Sequence, residues 1–104
     1  MPATRHRELV TRTTHAVLDS AGATTSAWRW AAFHRRVDEL PPELRSFVDT
    51  VAANAWRVTD ADVEALKRAG HSEDAIFEVT AAAALGAAIM RLERGLIVLE
   101  ASRA

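Results

Sequence analysis

The stretch SEDAIFEVTAAAALGAAIMRLERGLIVLE, residues 72–100, decides the fold class. Ser72 can cap a helix, and Glu73 and Asp74 then sit in its first turn, where the helix dipole favours acids. No proline occurs between Ser72 and Glu100. The spacing predicts one helix of roughly 42 Å at 1.5 Å per residue. Ile76, Phe77, Val79, Ala81 to Leu85, Ala87 to Met90, Leu92 and Leu96 to Leu99 make it apolar nearly all round in its middle. Such a helix calls for burial on several sides, more than one layer of helices from 104 residues supplies. The small residues Ala82 and Gly86, with Ala83 and Ala87, would admit another helix closely. A homo-oligomer, a dimer or trimer, is therefore expected. Burial wholly within one chain is the competing expectation.

Upstream, the pattern gives three or four more helices. Thr59 caps a short one, with Asp62 at the capping-box position and Gly70 as its left-handed terminator. Val63, Leu66 and Ala69 should point inward. Pro41-Pro42 stops one helix and opens the next, which runs to about Trp56 on Leu44, Phe47, Val48, Val51, Ala52 and Ala55. A helix from Ala27 to about Asp38, capped by Ser26, carries Trp28, Ala31, Ala32 and Arg35 on one row, with Trp30, Phe33 and Val37 on a second. The first helix, Arg5 to Asp19, has a stripe of Leu9, Thr13, Ala16 and Val17. The fold class is all-α: four to five helices with a long Ala-rich C-terminal helix. It reads as one structural domain, with a basic helical extension at 1–39 and a helical core at 40–104.

Charge is uneven although the formal net is −1. Residues 1–36 carry six arginines against Glu8 and Asp19, whereas acids dominate the remainder. A basic arm can bind nucleic acid or an acidic protein partner through the N-terminal helices. Docking of the basic part onto the acidic part, within or between subunits, is the simpler expectation, because the arginines are dispersed and no aromatic–basic RNA motif is present. There is no cysteine, which excludes thiolate nucleophiles, disulfides and cysteine metal ligands. That fits a cytoplasmic protein. The apolar run Val79 to Met90 falls short of the roughly 20 residues of a membrane span, so no membrane partner is expected. No phosphate loop, nucleophile elbow or zinc motif occurs, and neither a cofactor nor a metal is implied.

The segments LPPELRSFVDTVA (40–52), VEALKRAGHSEDAIFEVTAAAALGAA (63–88) and RLERGL (91–96) resemble the carboxymuconolactone decarboxylase-like or alkylhydroperoxidase-D-like superfamily. The resemblance covers Leu40 to Leu99. Ala69-Gly70-His71-Ser72-Glu73-Asp74-Ala75-Ile76 fits the family's helix end and capped restart. Redox members carry a Glu, two cysteines and a His in a fixed spacing. That spacing falls on Glu43, Ala55, Val58 and Asp62, so only Glu43 matches. The resemblance implies the helical scaffold without the peroxide chemistry.

Two functions are consistent with these features. The first is a non-redox member of that superfamily, an oligomeric binding or accessory protein. The second is a cofactor-free lyase or isomerase acting on a small anionic substrate. Glu43, Asp62 and His71 would be its catalytic groups, because two carboxylates sharing a pocket can divide acid and base roles and His71 is placed to accept a proton. Arg57 would hold the anion and Trp56 form an apolar wall. A third function, nucleic-acid binding through the basic half, is weaker. The same residues also have ordinary structural roles, Glu43 as a first-turn acid and Asp62 as half of a cap. His34 and Asp38, four apart, read as an ion pair on a helix face.

Overall fold

A computed structural model describes residues 2–103, with side chains from residue 5 onward. Among these residues the chain forms five α-helices: α1 (Pro2–Asp19), α2 (Ser26–Phe33), α3 (Pro42–Asn54), α4 (Asp60–Arg68) and α5 (Glu73–Ser102). Single 3-10 turns come after α2 and α3, at Val37–Glu39 and Ala55–Arg57. The all-helical class and the long C-terminal helix are as the sequence indicates.

Local chemistry sets most of the ends. Thr59 accepts from the Asp62 amide at 3.2 Å while the Asp62 carboxylate accepts from the Thr59 amide at 3.0 Å, a complete capping box. Gly70, at φ +101°, lets the His71 amide reach the Leu66 carbonyl and its own amide reach Lys67, a Schellman close. Ser72 accepts from the Ala75 amide at 3.1 Å and starts α5.

Helix α2 departs from expectation at both ends. Thr25 is its cap, accepting from the Trp28 amide, while the Ser26 hydroxyl donates instead to the Leu18 carbonyl. The helix stops at Phe33, because Arg35 adopts φ +56° and closes a second Schellman motif, Arg36 to Ala31 and Arg35 to Ala32. A non-glycine residue in that region costs about 1–2 kcal/mol. Its 2.8 Å pair with Asp49 offsets part of this. His34 and Asp38 thus do not share a helix face. His34 stacks on Trp30 and meets Phe33 edge-on.

The core lies where α2 and α3 cross the first half of α5. Leu18, Ala31, Ala32, Leu44, Val48 and Val79 are buried in it. Helix α2 lies close against α5. A Cβ on Gly86 would stand 2.0 Å from the Phe33 carbonyl oxygen. Gly86 therefore receives α2 of the same chain, and Ala82 and Ala83 are buried in the core.

Beyond Gly86 the character of α5 changes. Met90, Leu92, Ile97, Val98 and Leu99 are all exposed, and Leu96 is only half-buried. Helix α1 runs antiparallel along this distal half, with Arg7 and Glu100 4.0 Å apart near the tip. Its inward positions are Val10, Thr14, Val17 and Leu18, one residue out of step with the predicted stripe, and Leu9 faces solvent. A groove of about 410 Å³ separates the two helices. The molecule measures 52 × 28 × 22 Å, with a radius of gyration of 15.3 Å against roughly 13 Å for a compact chain of this length. It is a core with a two-helix arm.

The glycines of α5 give opposite expectations. Gly86→Ala forces α2 away from α5 and is expected to lower stability by about 1–3 kcal/mol. Gly95, around which a Cβ meets nothing within 4 Å, is expected to gain up to about 1 kcal/mol as Ala. Urea unfolding of both variants at low protein concentration checks the pair.

Candidate functional site

The three predicted catalytic residues converge on one end of the core. Proline opens α3 and puts Glu43 in its first turn; the Thr59 cap fixes Asp62 in the first turn of α4; the Gly70 turn presents His71. The His71 Nε2 and a Glu43 carboxylate oxygen are 2.8 Å apart. A carboxylate only accepts, so the ring nitrogen carries the proton. The Glu43 carboxyl is held below its ordinary value of 4.5, first by its own backbone amide and next by His71. The His71 side chain is 11% exposed, and Trp28 of α2 lies edge-on to it at 6.0 Å.

Glu43 and Asp62 also line the same depression, of about 180 Å³, with Ser46, Phe47, Thr50, Ala65 and Leu66. Its lining holds two carboxylates, two hydroxyls and no cation. Trp56 and Arg57 lie elsewhere. Trp56 is 77% exposed, and the Arg57 guanidinium sits 4.9 Å over its ring. The structure thus joins Glu43, Asp62 and His71 but leaves the expected anion anchor and apolar wall outside. Among the described residues no cluster of three or more metal-ligating side chains occurs.

A second polar centre has no counterpart in the sequence pattern. Glu78 accepts from the Ala23 amide at 2.7 Å, the Thr24 amide at 2.9 Å and the Thr24 hydroxyl at 2.7 Å. Burial alone would raise its carboxyl. The Thr24 hydroxyl, the two amides and the nearby Arg29 charge outweigh that and hold it low. Arg29, only 4% exposed, donates to the Val17 carbonyl at 2.9 Å and to the Ser20 carbonyl, closing the C-terminal end of α1. The one signal for it in the sequence is an acid within the apolar run of α5 together with the Thr24-Thr25 loop. Both groups hold the 20–25 loop in place, so their role is architectural.

No protein-family model, curated protein or solved structure matches this chain.

A carboxyl held low by folding contributes stability above its unfolded pKa and loses it as pH falls through the folded value. The advantage of the native chain over Glu43→Gln should accordingly be full near neutral pH. It should shrink as pH falls through 4.5 and below. Urea midpoints measured across that window check this; parallel curves would contradict it.

Proposed function

We propose that the protein is an oligomeric binding or accessory protein on a cysteine-free helical scaffold, rather than a catalyst. One observation carries this: the distal half of α5 presents Met90, Leu92, Ile97, Val98 and Leu99 to solvent on a single projecting arm. A concentration of apolar side chains of that kind marks an association surface. The candidate acid–base groups support the same reading. Glu43 is engaged by His71 and Asp62 by the Thr59 cap. The resemblance to the carboxymuconolactone decarboxylase-like superfamily agrees with a scaffold that has kept helix caps at Thr59 and Ser72 without a redox centre.

A lyase or isomerase is the second reading, favoured by the Glu43–His71 bond beside a small depression. An anionic substrate is a poor match for it, since two carboxylates line the depression and Arg57 stands apart. Binding of nucleic acid has less support. The basic half uses Arg29 on the α1 carbonyls and Arg35 on Asp49.

Light scattering on the eluting full chain tests the assembly reading. The expected mass is at least twice the 11.3 kDa of one chain at high micromolar concentration. A single-chain mass throughout would refute it. Peroxide turnover with dithiol reductants is expected at background level, because no thiol is present to be oxidised.

A further inference from the structure

The back of α5, opposite the core, carries one continuous apolar row: Phe77, Ala81, Ala84, Ala88, Leu92, Gly95 and Leu99. At 100° per residue these positions stay within one narrow sector for roughly 33 Å, and no charged residue falls among them. Phe77 is 71% exposed; Ala84, Ala88, Leu92, Gly95 and Leu99 are exposed, and Ala81 is half-buried. Gly95 has no reason within the chain. It is inside a helix, its φ is not positive, and a Cβ there would meet open space. Gly86, by contrast, is explained by the Phe33 carbonyl.

We infer that this row is a two-fold seam: a second copy of the chain packs its α5 antiparallel against the first, with the symmetry axis at Ala88. This rests on the oligomeric reading above and gives it a surface and register, one that takes up Leu92 and Leu99 of the exposed residues of the arm. In that arrangement every member of the row faces another member. Phe77 and Leu99 lie equally far from Ala88 on either side, as do Ala81 and Gly95, and Ala84 and Leu92. Each antiparallel pair about Ala88 therefore sets a large side chain beside a large one at the ends, a small one beside glycine, and a small one beside leucine. Every residue meets its counterpart as an isologous interface requires. Gly95 then serves the close approach of the two backbones.

Charge agrees with that direction. Asp74 flanks the row at its start and Arg103 on the same side at its end. In an antiparallel pair the Asp74 of one copy comes to the Arg103 of the other, twice. A parallel pair would align the helix dipoles and set Asp74 against Asp74. The row's length with a width of about 10 Å gives roughly 330 Å² of projected footprint per chain. That is small for a specific interface, so association should depend on concentration.

A bilayer is the other occupant of such a surface. By length and composition alone α5 could cross one, with a mean hydropathy of 1.6 over its most apolar 18 residues. The buried positions Ala75, Ile76, Val79, Ala82, Ala83 and Gly86 on the opposite side, packed against α2 and α3, favour the second copy.

The absence of cysteine makes the test direct. Ala88→Cys places a thiol on the symmetry axis, within reach of its own mate. Ala101→Cys places one on the opposite side of the same helix. Under mild oxidation of the full chain, Ala88→Cys is expected to form covalent dimer at least tenfold faster than Ala101→Cys. Gly95→Leu, which a lone helix tolerates better than glycine, is expected to weaken association at least tenfold while the far-ultraviolet circular dichroism holds. A multimer by light scattering in which the two cysteine variants cross-link equally would refute the seam and leave the oligomeric reading standing. A single-chain mass throughout would refute both. Co-sedimentation with phosphatidylcholine–phosphatidylglycerol vesicles, without preferential Ala88→Cys cross-linking, would assign the row to a membrane and overturn the seam.

Discussion

The contact of the Phe33 carbonyl with Gly86 governs the arrangement of the rest. Two helix backbones can approach that closely only where one offers no side chain. With α2 pressed onto α5 at this point, Trp28 reaches His71 and Arg29 reaches the end of α1. Glu78, two turns earlier on α5, comes within bonding distance of the 20–25 loop. Hydrophobic burial supplies the driving force, but the crossing sets the geometry in which the polar groups find partners.

The polar anchoring is asymmetric. The α1–α2 connection is held by buried or half-buried groups, Arg29 and Glu78, each making several bonds. The tip of the arm has one long, exposed ion pair between Arg7 and Glu100. An exposed pair of that kind contributes about 0–1 kcal/mol. The 20–25 loop is therefore held more firmly than the helix lying along the arm.

Local chemistry is the part of this structure that is legible in the sequence. The Thr59–Asp62 box, the Gly70 turn and the Ser72 cap involve residues within a few positions of one another, and each appears as expected. The end of α2 is not legible, because the left-handed residue is Arg35 and apolar periodicity continues through Val37. The α1 stripe lies one position away from the apolar pattern, since Thr14 is buried while Leu9 is not. The small residues Ala82 and Gly86 mark a close-approach site in the sequence, and at Gly86 the visitor is α2 of the same chain. In the candidate site, the positions of Glu43 and Asp62 derive from their helix starts. The His71–Glu43 bond spans 28 positions and depends on how α3, α4 and α5 meet, which no local pattern encodes. Apolar spacing extends α3 to about Trp56, and the chemistry of Trp56 and Arg57 suggests them for the site. The helix ends at Asn54, and the 3-10 turn carries them away.

Helix α5 is a single unbroken element with two different environments. Its first half is clamped by α2 and α3; its second half lies beside α1 and keeps a hold on α3 through Arg91, which donates to the Ala52 carbonyl at 3.1 Å, with exposed side chains toward the tip. Amides on one continuous hydrogen-bond ladder therefore need not share one opening free energy. Those before Gly86 are released only when the core comes apart, whereas those near Leu99 can exchange by unzipping from the end. The chain can thus lose the shape of its arm in brief excursions while its interior stays assembled.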